Sequence, residues 1–114
     1  MSRTVVSLRS WMLQRISAVY LAGFLCFLLV HFCLHPHPAY AEWRDWFAQP
    51  VVSIACAGFV LAILLHAWVG MRDIVLDYIH TLGLRVVILT LICLLLAGCG
   101  FWAMRILILA SALL

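Results

Sequence analysis

Charged residues are scarce in this sequence. Asp, Glu, Lys and Arg together make up 10% of its 114 residues, whereas apolar types make up 68%. A soluble domain carries roughly a quarter charged residues, and a chain this short cannot enclose so much apolar surface in a core of its own. These properties exclude an ordinary soluble fold and favour a lipid bilayer as the surrounding medium.

Basic clusters and metal-binding cysteine motifs are also missing. The net charge is +3, but the arginines are scattered along the chain, so nucleic acid is not an expected partner. No C-x-x-C or C-x-x-C-H motif occurs, which argues against a thiolate metal site and against covalently attached haem. The cysteines lie in apolar stretches and are expected to be small buried residues: Cys26, Cys33, Cys56, Cys93 and Cys99.

Three long apolar runs dominate the sequence, at about residues 11–34, 51–79 and 84–114. Each is longer than the roughly 20 residues that a helix needs to cross about 30 Å of hydrocarbon. Backbone groups in lipid must find their partners within the same helix. The sequence therefore predicts an all-α membrane protein, with three transmembrane helices in one domain over residues 1–114.

The breaks between the runs predict an orientation. Residues 35–50 hold all three prolines and the aromatic residues Trp43, Trp46 and Phe47, which suit a membrane interface. An "AYA" sequence before Glu42 resembles a signal-peptidase site, but the apolar stretch before it is longer than a signal core. The positive-inside rule places the N-terminus and the second break inside, with Arg105 opposing the pattern. The inner arginines are Arg3, Arg9, Arg15, Arg72 and Arg85.

His66 is an ionisable residue within the second run. It lies about 22 Å along the helix from Val51, and an ionisable residue at such a depth is a functional hypothesis by default. Helical spacing puts His66, Gly70, Asp73 and Asp77 on one stripe. Gly70 leaves room beside the imidazole, and neutral imidazole is the usual axial ligand of a b-type haem. The alternative is a neutral histidine bonded to a neighbouring helix.

A second axial ligand is not expected from this chain. The other histidines fall near one membrane surface or the other, so a partner ligand would come from another chain. Arg15 is expected near the depth of inward-pointing haem propionates, or else is an ordinary inner anchor. The histidines expected at the interfaces are His31, His35, His37 and His80.

Tyr78 follows His66 by about 18 Å along the helix, which places it at the inner interface. Its hydroxyl can donate a hydrogen bond to a quinone carbonyl, and the neighbouring Asp77 can bond water or help to move protons. The alternative is that Tyr78 is only one of the aromatic residues common at membrane interfaces.

The stretch "HAWVGMRDIVLDY" at residues 66–78, with "LRV" after it and "QRISAVYL" in the first run, resembles the hydrophobic membrane anchor family of succinate dehydrogenase (complex II). The family pattern H-A-x-x-G-M followed by D-Y is present. The chain departs from it at Arg72 and Asp73, and has "HTLG" in the second turn where relatives can have proline.

The resemblance implies a multi-pass subunit of the bacterial inner (cytoplasmic) membrane, which is not catalytic alone. It would pack with a second three-helix anchor subunit, and the pair would fasten an iron–sulfur subunit and a flavoprotein to the inner face. By the resemblance, His66 is the haem b iron ligand opposite a histidine of that second anchor, Arg15 lies near the propionates, and Tyr78 and Asp77 serve ubiquinone. A fumarate reductase anchor and a cofactor-free structural membrane protein are the alternatives.

Overall fold

The computed structural model describes residues 3–36 and 39–112, and these form four helices: α1 (Arg3–Leu34), α2 (Tyr40–Ala48), α3 (Pro50–Tyr78) and α4 (Leu82–Ala112). Three of them, α1, α3 and α4, are long and apolar enough to cross a membrane. The prediction of an all-α protein with three spans is therefore confirmed. The inside location of the N-terminus remains a prediction.

The helices begin and end at residues different from those of the predicted apolar runs. α1 begins at Arg3 rather than near residue 11, because a helix can continue into the polar interface where water satisfies its backbone. α3 covers residues 50–78 rather than 51–79, with Pro50 at its first position, where proline is well tolerated. α4 begins at Leu82, and residues 113–114 of the third predicted run lie outside the described residues.

α3 is the central helix, and both other long helices run antiparallel to it. α1 meets α3 through the Tyr20 hydroxyl, which donates to the Ala55 carbonyl oxygen at 2.7 Å. On α4, a Cβ atom added at Gly100 would lie 2.8 Å from the Cδ1 atom of Leu64. α2 lies across the ends of α3 and α4, so the segment between the first two spans is structured rather than an open loop.

Gly58 allows α1 and α3 to approach closely. A Cβ atom at this position would lie 2.9 Å from the Tyr20 hydroxyl oxygen, a distance that real Cβ contacts do not reach. Small residues at helix contacts are typical of membrane proteins, where close packing drives association in the absence of a hydrophobic effect.

The buried core of the chain is small. Phe24, Val52 and Cys56 form its main cluster, whereas large side chains such as Val19 and Phe101 are 74% and 78% exposed. The expectation that the cysteines are buried is correct for Cys56 and wrong for the other four, which are exposed on this chain. The apolar surface outside the cluster must therefore be covered by lipid or by other subunits.

Aromatic rings gather where α1 ends and α2 passes over it. His31 stacks on Trp46 with ring centroids 4.1 Å apart, and on His35 at 4.7 Å. Phe32 stacks on Trp43 at 4.7 Å. The rings lie at one end of the bundle, as expected of residues at a membrane interface. His37 lies outside the described residues.

Candidate functional site

His66 lies on the face of α3 that packs against α1. Its Nδ1 atom is 3.1 Å from Ser17 Oγ, and its Nε2 atom is 3.5 Å from Gln14 Nε2. Ser17 is 6% exposed, and the imidazole is half-buried. The polar groups of two apolar helices thus meet at one level within the bundle.

The three contacts of this cluster fit one tautomer of His66, given the orientation of the Gln14 amide. The Gln14 side-chain nitrogen is a donor only, so it must face a lone pair on His66 Nε2. The proton of a neutral ring then lies on Nδ1, which donates to Ser17 Oγ. The single Ser17 proton is directed to the Gln14 carbonyl oxygen at 3.1 Å. With the Gln14 amide in this orientation, all three bonds form together when Nε2 carries the free lone pair.

The Gln14 side chain has fewer hydrogen bonds than its polar atoms could form. Its Oε1 atom is buried and has no hydrogen-bond partner among the described residues, and a buried acceptor without a partner is costly. Gly70 lies beside it, since a Cβ there would be 3.5 Å from Gln14 Nε2. The Gln14 amide can therefore leave the Nε2 lone pair of His66 with little loss.

These residues fit one half of a haem site. His66 offers an Nε2 lone pair, Ser17 holds the other ring nitrogen, and Gly70 keeps the adjacent turn of α3 free of a side chain. Within residues 3–36 and 39–112, no group of three or more His, Cys, Asp and Glu side chains could hold a metal ion. Among the described residues the other histidines lie near or beyond the helix ends, at positions 31, 35 and 80, so none of them is level with His66.

Arg15 lies deeper in α1 than the sequence suggests. It does not open the helix, which begins at Arg3, and it lies between the two residues that contact His66. The side chain is exposed, with its guanidinium carbon 5.6 Å from the Trp11 ring centroid. A cation within a spanning helix is stabilised by a negative group, by a partner subunit or by extending its side chain to the interface.

Asp73 and Asp77, the acidic residues of the predicted stripe, have different surroundings in the structure. Asp73 forms an ion pair with Arg72 at 3.0 Å, and Arg72 also donates to Ser10 Oγ on α1 at 2.7 Å. Asp77 is exposed, and Tyr78 is 79% exposed at the end of α3. The His66 side chain faces α1, whereas Asp77 and Tyr78 are accessible to a partner or ligand.

The sequence pattern did not reveal Gln14, Ser17 or Ser10 as site residues. Each is a single polar residue in a run read mainly for its hydrophobicity. The signal was the spacing of Gln14 and Ser17, since residues three apart share a helix face. Such a pair inside an apolar span indicates a polar partner on the neighbouring helix.

Three apolar helices joined by polar contacts at mid-span define a multi-pass membrane protein with a histidine-centred site. Residues 1–100 match the family described as the succinate dehydrogenase/fumarate reductase transmembrane subunit. The chain belongs to this family. It is also 34% identical over 97 residues to the succinate dehydrogenase hydrophobic membrane anchor subunit of Coxiella burnetii, covering 85% of this chain and 84% of that protein.

Proposed function

We propose that this chain is a membrane anchor subunit of a succinate:ubiquinone oxidoreductase in the cytoplasmic membrane of a bacterium. It packs with a second three-helix anchor subunit, and the two hold an iron–sulfur subunit and a flavoprotein at the inner face. The observation that carries the proposal is His66, which lies half-buried between spanning helices with its Nδ1 atom 3.1 Å from Ser17 Oγ, an arrangement that suits metal binding through Nε2. The name of the 34% identical relative supports the same assignment.

His66 would hold the iron of a haem b shared with the second anchor subunit, which would supply another histidine. When bound, the haem supplies a site that takes up and releases one electron. Ser17 would hold the imidazole, and the space above Gly70 would become free when the Gln14 amide moves aside. Arg15 is exposed at the level of His66 and offers a charge-assisted hydrogen bond to a propionate. The carboxylate would also neutralise this cation within the membrane.

Tyr78 and Asp77 form this chain's part of the ubiquinone site. The Tyr78 hydroxyl donates to a quinone carbonyl oxygen, and Asp77 bonds water or the phenol and assists proton delivery from the inner surface. Both residues are exposed in the last turn of α3. An exposed phenol hydroxyl beside a carboxylate suits a quinone, because a quinone takes up protons together with electrons when it is reduced.

Replacing His66 with leucine tests the haem assignment. In the assembled complex, His66→Leu should abolish the low-spin b-type spectrum or convert it to a five-coordinate form, because one ligand is lost. His35→Leu is the matched control, since His35 is exposed at the other end of the bundle. A reduced-minus-oxidised spectrum is the measurement. An unchanged low-spin spectrum in His66→Leu would reject the assignment.

The family description covers fumarate reductases as well as succinate dehydrogenases, so the physiological direction needs its own test. Rates of succinate-driven quinone reduction and quinol-driven fumarate reduction should be compared on the same purified complex. Faster succinate oxidation is expected. A complex that retains no haem band when co-expressed with its partners would instead support the cofactor-free structural alternative.

A further inference from the structure

We propose that Ser17 is a positioning residue for His66, which fixes the tautomer of the imidazole and strengthens Nε2 as a metal ligand. The inference rests on the proposed function, because it concerns how the haem ligand is held. The proposed site would then include Ser17 on α1 as well as His66 on α3.

The first support is burial. Ser17 is 6% exposed and is the buried polar side chain of the described residues. A hydroxyl in an apolar helix contact needs hydrogen-bond partners, since leaving it without them costs free energy. Ser17 has two, the His66 Nδ1 atom and the Gln14 carbonyl oxygen, each at 3.1 Å. Its position is therefore defined from both helices.

The second support is the direction of these bonds. Because the Ser17 proton goes to the Gln14 carbonyl, its oxygen presents a lone pair to His66 Nδ1. An Nδ1–H donor matches that lone pair and leaves Nε2 unprotonated. This is the tautomer that metal coordination through Nε2 requires, so the Ser17 contact favours the ligand form of the imidazole.

The hydrogen bond also affects the electronic character of the ligand. An acceptor on the far nitrogen orients a metal-bound imidazole and raises its basicity. A more basic ligand stabilises oxidised iron more than reduced iron. Loss of the Ser17 hydroxyl should therefore raise the midpoint potential of the haem, without removing either axial ligand.

The experiment compares three Ser17 variants in the assembled, detergent-solubilised complex. Ser17→Ala removes the acceptor, Ser17→Thr keeps a hydroxyl, and Ser17→Cys keeps the size but offers a weak acceptor. Ser53→Ala is the control, because Ser53 lies near the start of α3, away from His66, and its hydroxyl contacts Ser111 at 3.4 Å. The readouts are the haem midpoint potential from a spectroscopic redox titration and the low-spin resonance spectrum.

The expected result is a raised midpoint potential in Ser17→Ala with a retained low-spin spectrum, a smaller rise in Ser17→Cys, and wild-type values in Ser17→Thr and Ser53→Ala. Unchanged midpoint potentials in both Ser17→Ala and Ser17→Cys would overturn the Ser17 proposal. The haem assignment would still stand in that case if His66→Leu loses the low-spin spectrum. If Ser17→Ala does not assemble, Ser17→Cys decides the question. A normal spectrum in His66→Leu would instead identify a failure of the haem assignment itself.

Discussion

The Tyr78 hydroxyl lies at the end of α3 on a side chain that is 79% exposed. If it donates to a quinone carbonyl, Tyr78→Phe removes that donor while keeping the ring. A lost hydrogen bond costs about 0.5–1.5 kcal/mol, which corresponds to roughly a two- to twelve-fold fall in succinate–quinone turnover. Succinate oxidation with a soluble dye that accepts electrons upstream should stay normal. Both rates are measured on the same complex.

Tyr40→Phe provides the control for Tyr78→Phe. Tyr40 begins α2 at the opposite end of the bundle and is 81% exposed, so its hydroxyl should not affect quinone reduction. Haem content should be normal in both variants. Wild-type rate and quinone affinity in Tyr78→Phe would mean that Tyr78 is only an interfacial aromatic residue.

Single residues also mark the limit of what the sequence could predict. His66 could be found because one ionisable residue in a long apolar run is conspicuous and its spacing to Gly70 is short. Ser17 could not be assigned to it, since that contact depends on how α1 and α3 are rotated about their axes. The deeper position of Arg15 followed only from the observed start of α1 at Arg3.

At the level of helices, the contact between α1 and α3 depends on the missing side chain at Gly58. Gly58→Ala should destabilise the complex, because the new methyl group would lie 2.9 Å from the Tyr20 hydroxyl oxygen. Overpacking of this kind costs about 1–3 kcal/mol. The measurement is the thermal midpoint for loss of the haem spectrum in detergent.

Two further variants make the Gly58 result specific. Gly98→Ala should leave the thermal midpoint unchanged or slightly higher, since no atom lies within 4 Å of a Cβ there and alanine favours the helix. Adding Tyr20→Phe to Gly58→Ala removes the hydroxyl that clashes and should recover part of the loss. If Gly58→Ala and wild type had equal thermal midpoints, the contact between α1 and α3 would not depend on the absent side chain at Gly58.

The helices themselves were easier to predict than the segments between them. Length and hydropathy were sufficient for α1, α3 and α4, because lipid permits few alternatives to a helix. α2 was missed, since its nine residues carry Glu42, Arg44 and Asp45 among aromatic rings, and residues 35–50 were treated only as a proline-containing break between two apolar runs. Its rings pack against the end of α1, and that contact was not visible in the sequence.

For the whole molecule, the half-site geometry predicts that the chain alone will not retain haem. Among the described residues, His66 is the histidine at that level, and under the proposed function the opposite side of the site belongs to the second anchor subunit. Expression of this chain without partners should therefore yield no low-spin b-type band, and co-expression with the second anchor should restore it. A visible and resonance spectrum of each membrane preparation is the measurement.

The control for that experiment is the amount of chain in the membrane. Immunodetection should find it in both preparations, because the three apolar helices insert without a cofactor. A low-spin spectrum with two histidine ligands from the chain alone would contradict the half-site geometry and would require a second histidine of the same chain or of another copy.

Arg85 and Arg105 lie near opposite ends of α4. Arg85 donates to the carbonyl oxygens of Ile79 and Leu76, which fixes it at the turn after α3, and Arg105 follows about 30 Å further along the helix axis. That separation equals the hydrocarbon thickness of an average bilayer. The apolar length of α4 between its two arginines therefore matches the hydrocarbon thickness of an average bilayer. In a thicker bilayer the mismatch would be met by local thinning of the lipid, or by the two arginine side chains extending toward the interfaces.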